Sequence, residues 1–327
     1  MRQHYRRWLR LLPLALLAGL VAPGTWWRDQ PLPPGAPAVL SVTPLQLDQP
    51  EHWPAELTLA GSWHIASEHQ GFGGYSALMA LPGDRLLAYS DRRDFLEFAM
   101  PGAVTSPVRI EPVPQDPAER YMSWDFEGAT RDPQTGRRWL SVEGANAIRR
   151  LDAQGDSDGL VYPHAMQHWP GNQGAEGMVR LSDGRFIVLA EGSPGSEPPV
   201  SEGLLFAGDP VGGAEAIAFQ FPRQGRYRPT DLAALPDGRV IILQRQITPG
   251  LPPFGAMLAL ADPATIRPGR PWPWQVLAPL SPPMPRENYE GLAITPAPGG
   301  GHYIWIISDD NQASLQRTLL LKLHWAG

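Results

Sequence analysis

Glu176-Gly177-Met178-Val179-Arg180-Leu181-Ser182-Asp183-Gly184-Arg185-Phe186-Ile187-Val188-Leu189-Ala190-Glu191 reads as a short strand, a tight turn and a second strand, with a carboxylate near each end. The same phrase occurs at four other places. Its shortened forms are Ser76-Ala77-Leu78…Gly83-Asp84-Arg85…Ser90-Asp91, Glu127-Gly128-Ala129…Gly136-Arg137…Val142-Glu143, Thr230-Asp231-Leu232…Asp237-Gly238-Arg239…Gln244-Arg245 and Glu290-Gly291-Leu292…Gly300-Gly301-His302…Ser308-Asp309. The leading residues (Ser76, Glu127, Glu176, Thr230, Glu290) step by 51, 49, 54 and 60 residues. A fixed period of this size is the signature of a repeat architecture.

Working outward from each hairpin, two more strand-like runs follow. After the third copy they are Gly203–Ala207 and Glu215–Phe221, after the fourth Ala256–Leu260 and Trp274–Leu280, and after the second Ala147–Leu151 and Gly159–Tyr162. Four antiparallel strands per repeat is the unit of a β-propeller blade. The fifth copy has only Thr318–Trp325 left, so a strand from Ala38–Leu47 or Glu56–Ala66 is expected to close the ring and remove the open edge. The reading is an all-β propeller of about five blades. A sixth, degenerate blade is the alternative if both N-terminal strands stand apart. A two-layer sandwich would account for the strands but not for the evenly spaced polar columns.

The trailing residues (Asp91, Glu143, Glu191, Arg245, Asp309) form a second column. In an antiparallel pair the start of the first strand lies beside the end of the second, and in a propeller the first strand lines the central channel. Both columns should therefore meet at one mouth. The residues expected there for catalysis are Glu127, Glu176, Glu290 and Arg245, with Arg317 beside Arg245 to offset phosphate charge. Those expected to ligate metal are Asp91, Glu143, Glu191, Asp309, Asp310 and Asp231. So many carboxylates at one mouth require protons or a cation, and oxygen donors without cysteine favour Ca²⁺ over zinc or copper. The competing structural reading is that these carboxylates bond turn amides and hold blades together.

Composition narrows the partners. The 327 residues include no cysteine, which excludes disulfides, thiolate metal sites and a cysteine nucleophile. The net charge of −6, with no basic stripe, argues against nucleic acid. Arg2, Arg6, Arg7 and Arg10 precede an apolar run from Leu11 to Ala22, the pattern of an export signal or signal-anchor over residues 1–24. A Pro-rich linker (25–37) and one propeller domain (38–327) follow. The body is expected in the periplasm or outside the cell, tethered to the inner membrane if the segment is uncleaved, and otherwise away from membranes. A monomer is expected.

These phrases together resemble the bacterial phytase-like family, described by "esterase-like activity of phytase". The resemblance runs from about Gly61 to Leu323. It rests on Phe72-Gly73-Gly74-Tyr75-Ser76-Ala77-Leu78 with Ser90-Asp91-Arg92, Asp125-Phe126-Glu127-Gly128, Asn172-Gln173-Gly174-Ala175-Glu176-Gly177 and Pro229-Thr230-Asp231-Leu232. Its most specific stretch is Asn288-Tyr289-Glu290-Gly291-Leu292 with Ile307-Ser308-Asp309-Asp310-Asn311 and Gln316-Arg317-Thr318. It implies a secreted propeller with phosphoester or ester hydrolysis. Gln244 departs from the family's usual acid before the arginine.

Four other readings have weaker support. Gly74-Tyr75-Ser76-Ala77-Leu78 lacks the final glycine and the following helix of a nucleophile elbow. His164 and His168 have metal-like spacing but prolines on either side, so they read as a surface loop. A non-catalytic envelope-binding propeller would use the same mouth with exposed aromatics such as Tyr75, Trp124 and Tyr289. A calcium-dependent lactonase-like enzyme would use the same carboxylates as the leading reading, a metal-dependent hydrolase of small anionic esters.

Overall fold

The computed structural model describes residues 37–104, 106–115, 124–192, 199–313 and 315–327. The expected export segment, and the linker up to residue 36, lie outside the described residues. Five antiparallel sheets form a ring. Blade 1 holds β3 (Tyr75–Leu81), β4 (Arg85–Ser90), β5 (Asp94–Ala99) and β6 (Arg109–Pro112). Blade 2 holds β7 (Phe126–Arg131), β8 (Arg138–Val142), β9 (Ala147–Leu151) and β10 (Ser157–Val161). Blade 3 holds β11 (Ala175–Arg180), β12 (Phe186–Ala190), β13 (Val200–Phe206) and β14 (Ala216–Pro222), and blade 4 holds β15 (Arg228–Ala234), β16 (Val240–Ile247), β17 (Phe254–Ala261) and β18 (Trp274–Leu280). Blade 5 is made from both chain ends. The strands β19 (Asn288–Pro296), β20 (His302–Asp309) and β21 (Leu319–Trp325) are followed outward by β2 (Leu57–Ala66) and β1 (Ser41–Pro44). The two N-terminal strands therefore share one five-stranded sheet with the C-terminal strands, and the described residues form no sixth blade.

The turns follow from sequence. In Asp183-Gly184-Arg185 the glycine takes φ +90°, the left-handed conformation a three-residue hairpin loop needs. The Asp183 carboxylate accepts from the Arg185 backbone amide at 3.1 Å and from its Nε at 2.8 Å. Asp237-Gly238-Arg239 repeats the clasp at 2.9 and 2.7 Å.

The core is divided into five wedges, each between neighbouring blades. Between blades 5 and 1, for example, Trp305, Ile307 and Leu320 pack on Leu78, Leu86 and Phe98. This partition is what a propeller requires and a sandwich lacks. The buried tryptophans serve it: Trp305 stacks on Trp63, Trp139 meets Phe186 across blades 2 and 3, and Trp272 packs on Phe219 between blades 4 and 3.

Every inner hairpin carries a register shift at the same place. Pairing skips Ser76 in blade 1, Glu127 and Gly128 in blade 2, Glu176 and Gly177 in blade 3, Thr230 in blade 4 and Glu290 in blade 5. The leading residue of each repeat is thus the bulged residue. A β-bulge re-aims side chains and strengthens the local twist.

The residue after each bulge closes the channel. A Cβ at Gly128 would stand 2.2 Å from the Glu176 carbonyl oxygen, and one at Gly291 2.9 Å from the backbone of Ala77 and Leu78. Only glycine lets these inner strands come so near. Blade 1 has Ala77 at this position and blade 4 has Asp231, the latter fully buried. Its carboxylate accepts from its own chain at Leu232 N (2.8 Å) and from blade 5 at Leu292 N (2.7 Å), and it also bonds the Leu78 amide of blade 1. Glycines and Asp231 together form a plug that separates the two mouths of the ring.

Candidate functional site

Above the plug lies a cavity of about 240 Å³. It is lined by seven carboxylates (Asp91, Glu127, Glu143, Glu176, Glu191, Glu290, Asp309), together with Ser76, Arg245, Asn172, Asn288, Asn311 and Phe254. Both columns meet there because each trailing residue faces the position two before the bulge. Asp91 N donates to Gly74 O (2.9 Å), Glu143 N to Asp125 O (2.9 Å) and Glu191 N to Gly174 O (3.0 Å). Arg228 pairs with Arg245 and Asn288 with Asp309 in the ladders of blades 4 and 5.

Of the residues expected from sequence, Glu127, Glu176, Glu290, Arg245, Asp91, Glu143, Glu191 and Asp309 line this cavity. Three do not. Asp231 belongs to the plug, one residue past the bulge. Asp310 follows β20 and faces the other way from Asp309. It accepts from Gly74 N (3.3 Å), Gln312 N (2.8 Å) and Thr318 Oγ1 (3.2 Å), and it lines a separate cleft. Arg317 lies in the same outer cleft, its Nε 2.8 Å from the buried Glu287 carboxylate. Arg245 and Arg317 therefore do not line one cavity. Thr230 also faces away, with its hydroxyl directed at carbonyls of Leu243 and Tyr289.

Three residues are additions. Asp125, Arg228 and Asn288 all stand two before the bulge, and the shared offset in Asp125-Phe126-Glu127 and Asn288-Tyr289-Glu290 was the available signal. Carboxylate oxygens of Asp125, Glu127 and Glu143 can come within 4.8 Å of one another.

The charges divide the cavity. On the side of blades 4 and 5, Glu191 meets Arg228 (2.6 Å) and Arg245 (3.7 Å), and Glu290 meets Arg245 (3.1 Å). On the side of blades 2 and 3, Asp125, Glu127, Glu143 and Glu176 form no ion pair with a cation among the described residues. Burial, followed by the charges of Glu176 and Glu290, pushes Glu127 well above the usual carboxylate range. Burial and Glu191 do the same to Glu176. Burial and Asp125 push Glu143 up to about 7, and burial and Glu290 push Asp309 up to about 8. Like charges this close share protons or bind a cation.

The cavity fits a hard divalent cation. All its acidic donors are oxygens, and no histidine or cysteine lines it. The buried Asn288 gives its amide hydrogens to Asp309 Oδ2 (3.2 Å) and Glu290, which fixes its orientation. Its Oδ1 is left as a buried acceptor without a hydrogen-bond donor. An orphaned amide oxygen beside carboxylates is a ligand atom awaiting a partner.

The aromatics expected on the rim are buried instead. Tyr75, Trp124 and Tyr289 are 0%, 4% and 1% exposed, because they alternate with cavity residues and point into the wedges between blades. His164 and His168 are exposed around a single 3₁₀ turn, and His168 meets Glu202 at 3.0 Å.

Asp231 supplies a test of the plug. Asp231→Ala leaves at least two buried amides without acceptors, each costing about 1–3 kcal/mol. The expected loss in urea denaturation is about 3 kcal/mol. A loss under about 1 kcal/mol would show that the plug does not hold the inner strands together.

A family model described as phytase-like, esterase-like activity of phytase, matches residues 70–312. No curated protein sequence matches the chain. Among solved structures, Myxococcus xanthus glutaminyl cyclase is 11% identical, with 83% of this chain and 97% of that chain covered and a TM-score of 0.49. A luciferin-regenerating enzyme is 12% identical over 89% and 96%, with a TM-score of 0.47. Kuenenia stuttgartiensis hydrazine synthase is 13% identical over 72% of this chain and 56% of that one, with a TM-score of 0.38.

Proposed function

The chain belongs to the phytase-like family, esterase-like activity of phytase, and from that membership we propose that it is a cation-dependent hydrolase of phosphomonoesters or related small anionic esters. The observation that carries the reading is the uncompensated acidic half of the cavity. An anionic substrate is repelled from it unless a cation is present, and Ca²⁺ suits the oxygen donors.

Asp125, Glu127 and Glu143 would hold the ion, with the Asn288 oxygen as a neutral donor on the cavity wall. When bound, the ion supplies Lewis acidity toward an ester oxygen and acidifies water. Arg245, fixed by Glu191 and Glu290, presents a permanent positive charge to the substrate's anionic group. Glu176, whose proton affinity is raised by burial and by Glu191, would take a proton from attacking water.

The basic and apolar N-terminal sequence supports export to the periplasm or beyond, with an inner-membrane tether if the segment is retained. Among the described residues no helix is long and apolar enough to cross a membrane.

The test pairs elemental analysis of purified protein with hydrolysis assays on p-nitrophenyl phosphate, p-nitrophenyl butyrate and a lactone. Each is run with Ca²⁺ and with chelator. Bound calcium and chelator-sensitive turnover of one ester are expected. A protein that binds no divalent cation and turns over none of the three would overturn the reading, and turnover of the lactone alone would reassign the substrate.

A further inference from the structure

At the other end of the ring, below the plug, the inner strands open into a cavity of about 950 Å³, within the range of small-molecule sites. Its walls mix apolar side chains, Met100, Ala129, Val179, Ala234, Ile294 and Trp305 among them, with polar ones, and one acid, Asp84, lines it. Three cations also line it: Arg131, Arg180 and Lys322. Arg180 has Asp132 at 3.8 Å. Arg131 and Lys322 form no ion pair among the described residues. Arg131 donates to the Ala80 carbonyl at 3.2 Å. Lys322 Nζ lies 3.7 Å from the Tyr303 ring centre and 4.8 Å from that of Trp305. The acid whose charge reaches Lys322 is Asp84, in the β3–β4 turn.

Burial lowers the pKa of both Arg131 and Lys322, so each holds its charge against its surroundings. A half-buried ammonium caged by two aromatic rings, beside aliphatic walls and without a carboxylate in contact, is complementary to an anion attached to a hydrocarbon. The plug isolates this mouth from the acidic one, so its ligand is independent of the chemistry there.

We infer that this second mouth binds a single-chain amphiphile with an anionic head, its tail against the aliphatic walls and its head on Lys322. The chain supplies its own probe, because Lys322 is its only lysine.

The experiment uses the full purified chain in calorimetry with dodecanoate, dodecyl phosphate and dodecylamine, each below its micellar concentration. At least one anion binds and the amine does not. The tighter anion separates a free fatty acid from a phosphate-headed lipid. Lys322→Met, which keeps the stem and removes the charge, weakens binding about tenfold, and Lys322→Arg restores most of it. In the unsubstituted protein, the bound anion slows reductive methylation of Lys322, read by peptide mass. That readout decides the matter if Lys322→Met does not fold. Binding of neither anion, equal binding of the amine, or unprotected Lys322 at saturation would each overturn the inference.

Discussion

Glu127→Gln is expected to cut the proposed calcium-dependent turnover by about 100-fold or more and to raise the melting temperature of the chelated protein. The two effects come from one cause. Glu127 stands between Asp125 and Glu143 and feels Glu176 and Glu290 as well. The amide keeps the shape of the side chain but removes one of three charges from the ion's ligand set. Calcium sites tune affinity by charge count, and a loss of roughly 100-fold in affinity, about 2.7 kcal/mol, is expected. Turnover at fixed calcium falls by at least as much. Without the ion, the same change relieves repulsion among buried acids, so the protein gains stability as it loses function. Calcium titration calorimetry and thermal melts in chelator read the two halves separately. A variant that melts lower than its parent and still turns over substrate would show that Glu127 is structural.

The chelated protein becomes less stable as pH rises from about 5 to 8, and saturating Ca²⁺ removes most of that slope. Glu127, Glu143, Glu176, Glu290 and Asp309 all have folded pKa values above their ordinary ones, through burial and mutual repulsion. In that window the folded state holds more protons than the unfolded state, so stability falls with pH. The contribution is complete below the ordinary carboxylate range and is lost as pH passes the folded values, about 7 for Glu143 and about 8 for Asp309. A bound ion would take the deprotonated set and replace the missing protons. Melts across this range, with chelator and with calcium, measure both slopes. A chelated protein whose melting temperature stays level or rises between pH 5 and 8 would contradict the electrostatic account of the cavity.

The period of the repeat carried the ring, because a four-strand unit that recurs five times has few ways to bury its faces. Connectivity alone placed Glu127 near Glu143 and Glu176 near Glu191. The bulges were not legible. A one-residue slip decides which neighbour enters the cavity, so Thr230 and Asp231 could not be told apart, and Asp231 went into the channel instead. Beyond the end of β20 the chain leaves the ladder, and alternation there is set by the loop. Asp309 and Asn311 face one way, and Asp310 and Gln312 the other. The pairing of Arg228 and Arg245 with Glu191 depends on two blades meeting side by side, which no spacing within one repeat encodes. That pairing leaves Asp125, Glu127, Glu143 and Glu176 of blades 2 and 3, and Asp309 of blade 5, without an ion-pair partner among the described residues.

Blade 5 unites the two ends of the described chain: Leu57 lies opposite Trp325. During synthesis β2 emerges long before β21, its ladder partner. Until β19 and β20 emerge, the growing chain holds Glu127, Glu143 and Glu176 but not Glu290, Asn288 or Asp309, and Asp231 has no Leu292 amide to grip. Glu127 and Glu143 already meet in the β7–β8 hairpin, but Glu290 and Asp309 join them only when the final strands complete the ring, so the full set of repelling acids is assembled late. A cation held by Asp125, Glu127 and Glu143 would sit on blade 2, away from the β2–β21 seam of blade 5, so its release would leave that latch in place.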